Sequence, residues 1–171
     1  MDRKNILLIG FMGTGKSTVS TRLKKCLGMK EVDTDALIVE RESMSISDIF
    51  AQKGEEAFRN METALLEELK SEHNLIVSCG GGMALRDCNA AIMKAAGTVV
   101  WLTAEPETIL ERVKDDDSRP LLRGNKNTAF IGDLLEKRRP KYEAAADIAV
   151  VTDHRTVEDI CDEIFRRVSE N

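Results

Sequence analysis

Apolar residues in this chain occur in two alternating arrangements, short unbroken runs and longer stretches with a helical repeat. The run "NILLIG" (5–10), closed by glycine, predicts a strand buried on both faces of a parallel sheet. Beyond it Val19, Leu23, Cys26 and Leu27 recur at helical spacing, and Gly28 stops that helix. "KEVD" (30–33) reads as a second strand. Residues 34–73 predict helix in pieces: "SISDIF" (45–50) begins with a serine cap, and Phe58, Met61, Leu65, Leu66 and Leu69 mark one face of a long helix from Glu55 to Lys70. "LIVS" (75–78) is a further buried strand closed by three glycines, Ala84 to Ala95 predicts helix, and "GTVVWL" (97–102) predicts strand. Pro106 starts a helix running to about Val113. Lys114 to Lys126 is polar and broken by Pro120 and Gly124, the pattern of a mobile loop. Thr128 to about Ala145 predicts helix, "DIAVV" a last strand, and Thr156 to Ser169 a closing helix.

Strand and helix alternate five times, which predicts an α/β fold: a five-stranded parallel sheet flanked by helices on both faces, with ligand sites at the carboxyl ends of the strands. A length of 171 residues fits one domain, 1–171, and no repeat or linker divides it. Its 42% hydrophobic and 32% charged residues are those of an ordinary globule. The net charge of -5 argues against nucleic acid or an anionic membrane as the main partner, because either needs a dominant basic surface. Any anion must therefore be held locally. Cys26, Cys79, Cys88 and Cys161 form no C-x-x-C pair and have two histidines for company, so reduced, mostly buried thiols are expected rather than zinc or a disulfide framework. Glycines break the first apolar run within five residues, so it reads as neither a signal peptide nor a membrane span, and a cytoplasmic protein is expected.

One local site stands out. Gly10 to Ser17, "GFMGTGKS", matches G-x-x-x-x-G-K-[ST] between a predicted strand and a predicted helix, the context in which this motif has its mechanical meaning. Its glycines let the backbone N–H groups of residues 13–17 (Gly13, Thr14, Gly15, Lys16, Ser17) converge on a phosphate at the positive end of a helix. Lys16 would reach the outer phosphates, and the Ser17 hydroxyl would ligate Mg²⁺. Motors, switches and kinases all use such a loop. A GTPase wants N-K-x-D, and "NKNT" (125–128) lacks the final acid; a sensor ATPase usually needs a longer chain. Acids, arginines and bare glycines at the other strand tips favour a kinase with a polyhydroxylated, anionic second ligand.

Asp33 and Asp35 pose a separate question, since two carboxylates one residue apart at a strand–helix junction repel each other. On structural grounds alone, Asp33 or Thr34 caps the following helix and the other acid is solvated. Likewise Arg59, one turn after Glu55 and one turn before Glu62, makes ordinary helical ion pairs in isolation. Taken together, however, "GFMGTGKST", "DTD", "GEEAFRNME", "GGG", "RPLL" and "RRPKY" resemble the shikimate kinases, small P-loop proteins of the nucleoside-monophosphate-kinase group, in order and spacing over nearly the whole chain.

That resemblance implies a P-loop kinase fold with a substrate-binding helical insert at about residues 33–61 and a lid at about 114–126. It implies transfer of the γ-phosphoryl of ATP, with Mg²⁺, to the 3-hydroxyl of shikimate by a monomeric enzyme. Nucleotide contacts extend to Thr18; Asp33 lies near Mg²⁺ through water; Asp35 hydrogen-bonds the acceptor hydroxyls and orients, or deprotonates, the attacking one. Arg59 and Arg138 clasp the acceptor carboxylate, with Glu62 behind Arg59, while Arg139 is solvated. Phe58 either lines the ring pocket or belongs to the core. Gly80, Gly81 and Gly82 let backbone N–H groups approach the substrate, with Gly81 as the contact, or simply form a tight turn. Cys79 replaces the family's usual threonine and decides nothing. Arg119 swings over the phosphates, and Arg112 stacks on adenine. His154 or Arg155 could also reach the base; His73 reads as a surface residue. The rival readings are a gluconate-type small-molecule kinase and a non-enzymatic nucleotide switch.

Overall fold

The computed structural model describes residues 4–116 and 120–170. Five parallel strands, β1 (Asn5–Ile9), β2 (Lys30–Asp33), β3 (Leu75–Ser78), β4 (Gly97–Thr103) and β5 (Ile148–Val151), lie in the order β2-β3-β1-β4-β5. The chain enters at the centre of the sheet and later fills both sides. A crevice is thus created at the carboxyl end of β1, where neighbouring connections diverge. Alternate β1 residues serve opposite layers, which is why that strand is apolar throughout. Leu7 and Ile9 pack with α4 (Glu55–Leu69), α5 (Asp87–Ala96) and α7 (Thr128–Ala145) on one side. Ile6 and Leu8 pack with α1 (Lys16–Leu27) and α8 (Val157–Ser169) on the other.

Asn5 is the exception in that strand. It is buried, and its side-chain amide donates to Glu72 O (2.7 Å) and Ala96 O (3.1 Å) while accepting from Leu75 N (3.0 Å), so it joins three chain segments at the base of the sheet. The remaining helices are α2 (Thr34–Glu42), α3 (Ile46–Lys53) and α6 (Pro106–Val113). Ser45 caps α3 as its position predicts, accepting from Asp48 N at 3.1 Å.

Two expectations need correction. The stretch after the glycine run is not one helix from Ala84: a 3-10 turn, Met83–Leu85, precedes α5, with Arg86 extended between them. Cys26 and Cys88 are exposed, so only half of the thiols are buried; Cys26 lies off the apolar stripe of α1. Within the predicted loop, Leu122, in a 3-10 turn at Pro120–Leu122, is fully buried against Phe11, Ile109, Val113 and Ile131. Among the described residues, no helix is long and apolar enough to cross a membrane.

Candidate active site

The crevice beyond β1 opens into a cleft of about 1060 Å³. At one end is the glycine-rich loop. Gly15 takes φ +95° and starts α1 without a side-chain cap, a left-handed conformation that glycine enters at no steric cost. No acid stands in the first turn of α1, so its leading N–H groups are suited to an anion. Lys16 folds back over the loop, its ammonium donating to Gly10 O (2.8 Å) and Phe11 O (2.9 Å). Gly13, Gly15, Lys16, Ser17 and Thr18 line the cleft, but the Thr14 side chain does not. Thr14 is buried and donates to Phe11 O at 2.8 Å, fixing the shape of the loop from inside.

Arg112 reaches this end from α6, donating to Gly13 O (3.0 Å), Thr152 Oγ1 (3.1 Å) and Thr152 O (3.2 Å). The loop is thereby tied to the chain beyond β5. Neither His154 nor Arg155 lines the cleft; Arg155 pairs with Glu163 at 2.6 Å. His73 is exposed. Arg119 lies outside the described residues.

The two aspartates divide their work. Asp33 is the N-cap of α2, accepting from Ala36 N at 2.9 Å, so the capping alternative holds for this residue, which nonetheless lines the cleft. Thr34 is fully buried and fastens α2 to the end of β3, where its hydroxyl accepts from Gly80 N at 2.9 Å. Asp35 then projects from the first turn of α2 into the cleft beside Gly80.

Opposite it stands α4. Arg59 Nη1 donates to Glu62 Oε2 at 2.8 Å, and Nη2 to Glu55 Oε1 at 3.4 Å. Burial works against the Arg59 charge, but Glu62 and Glu55 more than offset it and hold its pKa above the usual value. Arg138 reaches the same cleft from α7. Both guanidinium groups sit on aromatic rings, Arg59 over Phe58 at 5.5 Å and Arg138 over Phe11 at 5.3 Å. Phe58 answers both descriptions offered for it, being buried and lining the cleft. Arg139 points away and pairs with Glu136 at 2.8 Å on the surface.

The glycine run is needed for close approach rather than for an unusual backbone, since none of the three takes a positive φ. A Cβ at Gly80 would stand 2.6 Å from Asp35 Oδ1, and one at Gly82 only 2.4 Å from Arg59 Nη1. At Gly81 a Cβ would meet nothing nearer than 3.6 Å, with Arg138 Nη1 at 4.0 Å, so the protein's own packing does not demand glycine there. Gly81 O accepts from the Tyr142 hydroxyl at 2.6 Å, and the buried Tyr142 ring stacks on Trp101 at 5.8 Å. Burial pushes that hydroxyl's pKa up, keeping it a donor.

Three supports were missed in the sequence. Asn89, fully buried, accepts from Thr63 Oγ1 at 2.7 Å and donates to Met83 O at 2.8 Å, locking α4 to the turn after the glycines. Arg86 adds bonds to Glu56 (2.7 Å) and Asn60 (2.9 Å) on the same helix. Arg123 lines the cleft four residues beyond Arg119, within the same "SRPLLRGNK" string.

A parallel sheet with a phosphate-binding loop at its switch point, facing acids, arginines and glycines across one cleft, defines a P-loop nucleotide-binding protein of the small-kinase type. The family model described as Shikimate kinase matches residues 12–169, and the chain belongs to that family. Shikimate kinase of Persephonella marina is 45% identical over 165 residues, covering 96% of this chain and 99% of the relative. The structure of shikimate kinase from Acinetobacter baumannii in complex with shikimate superposes with a TM-score of 0.92 at 34% identity, covering 99% of this chain and 94% of that one. A gluconokinase from Sinorhizobium meliloti shares the fold alone, with a TM-score of 0.61 at 20% identity over 98% of this chain and 94% of its own.

Proposed function

We propose that this protein is a shikimate kinase that transfers the γ-phosphoryl group of ATP to the 3-hydroxyl of shikimate, giving shikimate 3-phosphate for aromatic amino-acid biosynthesis. The observation that carries this reading is the pair of guanidinium groups bracketing adjacent glycines, Arg59 against Gly82 and Arg138 beside Gly81. Two arginines from different helices at one point of a cleft suit a single carboxylate, which shikimate has and a nucleoside acceptor lacks.

The residues take these parts. Backbone N–H groups of residues 13–17 and the start of α1 hold the phosphates, with Thr18 beside them, and Lys16 follows the outer phosphates during transfer. Arg112 packs on adenine, and Arg119 offsets charge on the transferred group. Asp35 receives the attacking hydroxyl and fixes its direction, the main demand of a loose phosphoryl-transfer transition state. Gly81 N–H, braced through its carbonyl by Tyr142, faces the acceptor. Residues 33–61 serve as the acceptor-binding unit and 114–126 as the lid.

Ser17 and Asp33 line the same cleft and offer a hydroxyl and a carboxylate, hard oxygen donors that fit Mg²⁺. Among the described residues no cluster of three or more His, Cys, Asp or Glu forms a cage, so the remaining ligands would be phosphate oxygens and water. When bound there, Mg²⁺ supplies charge that neutralises the β and γ oxygens. A monomer fits the edge of the sheet, where Arg167 and Arg155 donate to the β5 carbonyls of Ala149 (2.6 Å) and Val151 (3.0 Å), and Glu163 joins the two arginines. Free cysteines suit the reducing cytoplasm.

ADP release from MgATP, measured with shikimate, quinate, gluconate and nucleoside monophosphates, tests the acceptor. Shikimate should raise release far above background hydrolysis. Gluconate as the best acceptor would mean the gluconate-type kinase, and no acceptor effect would mean a nucleotide switch.

A sharper prediction concerns Gly82→Ala. The atoms nearest the new methyl group all belong to the flexible end of Arg59, and Gly82 already has helical φ and ψ of -96° and -4°, so the fold should tolerate it. The displaced guanidinium loses its seat. The KM for shikimate should rise about tenfold to a hundredfold, the 1.5–3 kcal/mol of a hydrogen bond to a charged group. The KM for ATP and the Tm should stay near wild type; an unchanged shikimate KM would remove Arg59 from the acceptor site.

A further inference from the structure

Glu62 is the least exposed charged residue of the cleft, with a side-chain exposure of 1%. One carboxylate oxygen, Oε2, accepts from Arg59 at 2.8 Å, whereas Oε1 is buried without a hydrogen-bond partner among the described residues. Oε1 lies 3.0 Å from the point where a Cβ on Gly80 would stand, and Asp35 Oδ1 lies 2.6 Å from that same point. Two carboxylate oxygens from different helices therefore flank one small space beside the glycine run. An ionised Glu62 there is only half compensated, and a buried acceptor oxygen without a donor is costly.

Among the described residues, the charged groups that act most on Glu62 come from three elements. Arg59, itself shared with Glu55, is on the same helix; Asp35 comes from α2; Arg86, tied to Glu56, stands before α5. Cys79 at the end of β3 feels Glu62, Asp35, Asp33 and Lys16, but burial holds its thiol neutral and high. Tyr142 from α7 stays protonated and feels Arg59 and Arg138. Burial raises the Glu62 carboxyl to about 7 despite the opposing Arg59, with Asp35 pushing it the same way.

We infer that Glu62 takes up a proton from solvent when the acceptor binds, so that recognition of the acceptor carboxylate is proton-coupled. This rests on the placement of the acceptor carboxylate on Arg59. The incoming anion replaces Glu62 as the counter-charge of Arg59 and adds a negative charge beside an acid poised near neutrality. Ionised Glu62 would then face two anions, the acceptor and Asp35, with its share of Arg59 reduced. Protonation removes that repulsion and turns Glu62 into a donor, which the space beside Asp35 can use. Arg59 is thus never left without a partner, with or without acceptor.

The sign follows from linkage. Below about pH 7 Glu62 is already protonated in the free protein, so binding takes up nothing and affinity is flat. Above it, each bound acceptor brings in a proton, and the dissociation constant of shikimate rises toward tenfold per pH unit until the pKa of the bound state is reached. The acceptor's own carboxylate stays ionised throughout this range.

Titration calorimetry of the wild-type protein with shikimate alone, in buffers of different ionisation enthalpy, reads the proton directly. At pH 8 the buffer dependence should give more than half a proton taken up per acceptor, and at pH 6 almost none. Glu62→Gln keeps the shape but cannot titrate, so its buffer dependence should vanish at both values and its shikimate affinity should lose its pH dependence. Tight binding with no proton uptake by the wild type at pH 8 overturns the inference and leaves the shikimate kinase reading intact. Uptake that persists in Glu62→Gln assigns the proton elsewhere and also overturns it. Failure of shikimate to bind the wild type at all is the distinct result that sinks both.

Discussion

Lys16→Met is expected to leave a folded protein whose phosphoryl transfer is slower by about a thousandfold or more. A fixed donor aimed at charge developing in a transition state is worth about 10²–10³ in turnover, and the phosphate-loop lysine carries a full charge as well. The ammonium bonds Gly10 O and Phe11 O, so it is already held at the mouth of the loop and needs only to exchange carbonyls for phosphate oxygens. Methionine matches its length and apolar stem but offers neither donor nor charge. Because those bonds also brace the loop, a small loss of Tm is expected, with the core clusters on both sheet faces untouched. Steady-state ADP release under saturating substrates, together with circular dichroism, checks this. Turnover within about threefold of wild type would mean that the loop does not handle the transferred phosphate.

The sheet was legible mainly through β1 and β3, short apolar runs buried on both faces and closed by glycine, whereas β2, KEVD, is largely polar and only partly buried. The cleft was legible in the residues that line it, since a glycine-rich loop, paired acids and spaced arginines are unusual in composition. Its supports were hidden. Asn89, Thr63 and Arg86 are common polar residues whose role exists only once α4 and the turn at Met83–Leu85 come together. Glu62 did carry a readable signal, for it follows Phe58 by four residues and precedes Leu65 and Leu66 by three and four, an acid set within the apolar stripe of α4. Helical spacing suggested a surface ion pair with Arg59 instead, because spacing carries no information on burial. Leu122 was likewise lost among polar neighbours; one apolar residue cannot show from sequence that it fills a gap beneath the loop.

Asp35→Asn should separate the two aspartates that begin α2. Asp35 contributes no cap, so its replacement should cost the helix little beyond the charge it places in the first turn, yet it removes the carboxylate proposed to receive the acceptor hydroxyl beside Gly80. Turnover should fall by about a hundredfold or more, in the 10²–10⁴ range of a lost general base, with ATP binding retained. Asparagine keeps a hydrogen-bond acceptor but also presents an amide donor and cannot take a proton. Asp33→Asn should behave differently: asparagine caps about as well as aspartate, so the bond to Ala36 N and the Tm should survive. What Asp33→Asn loses is negative charge at the proposed Mg²⁺ site, and a higher Mg²⁺ concentration should be needed for half-maximal rate. Asp35→Asn has a second signature, because Asp35 helps to raise the Glu62 carboxyl; without it, the rise of the shikimate dissociation constant with pH should begin at lower pH. Rates at saturating ATP across a Mg²⁺ series, with shikimate titrations at several pH values, distinguish the variants. Should Asp35→Asn turn over within about threefold of wild type while Asp33→Asn loses stability, the pair would be a helix cap and a solvated neighbour, and the attacking hydroxyl would have to be oriented by another group.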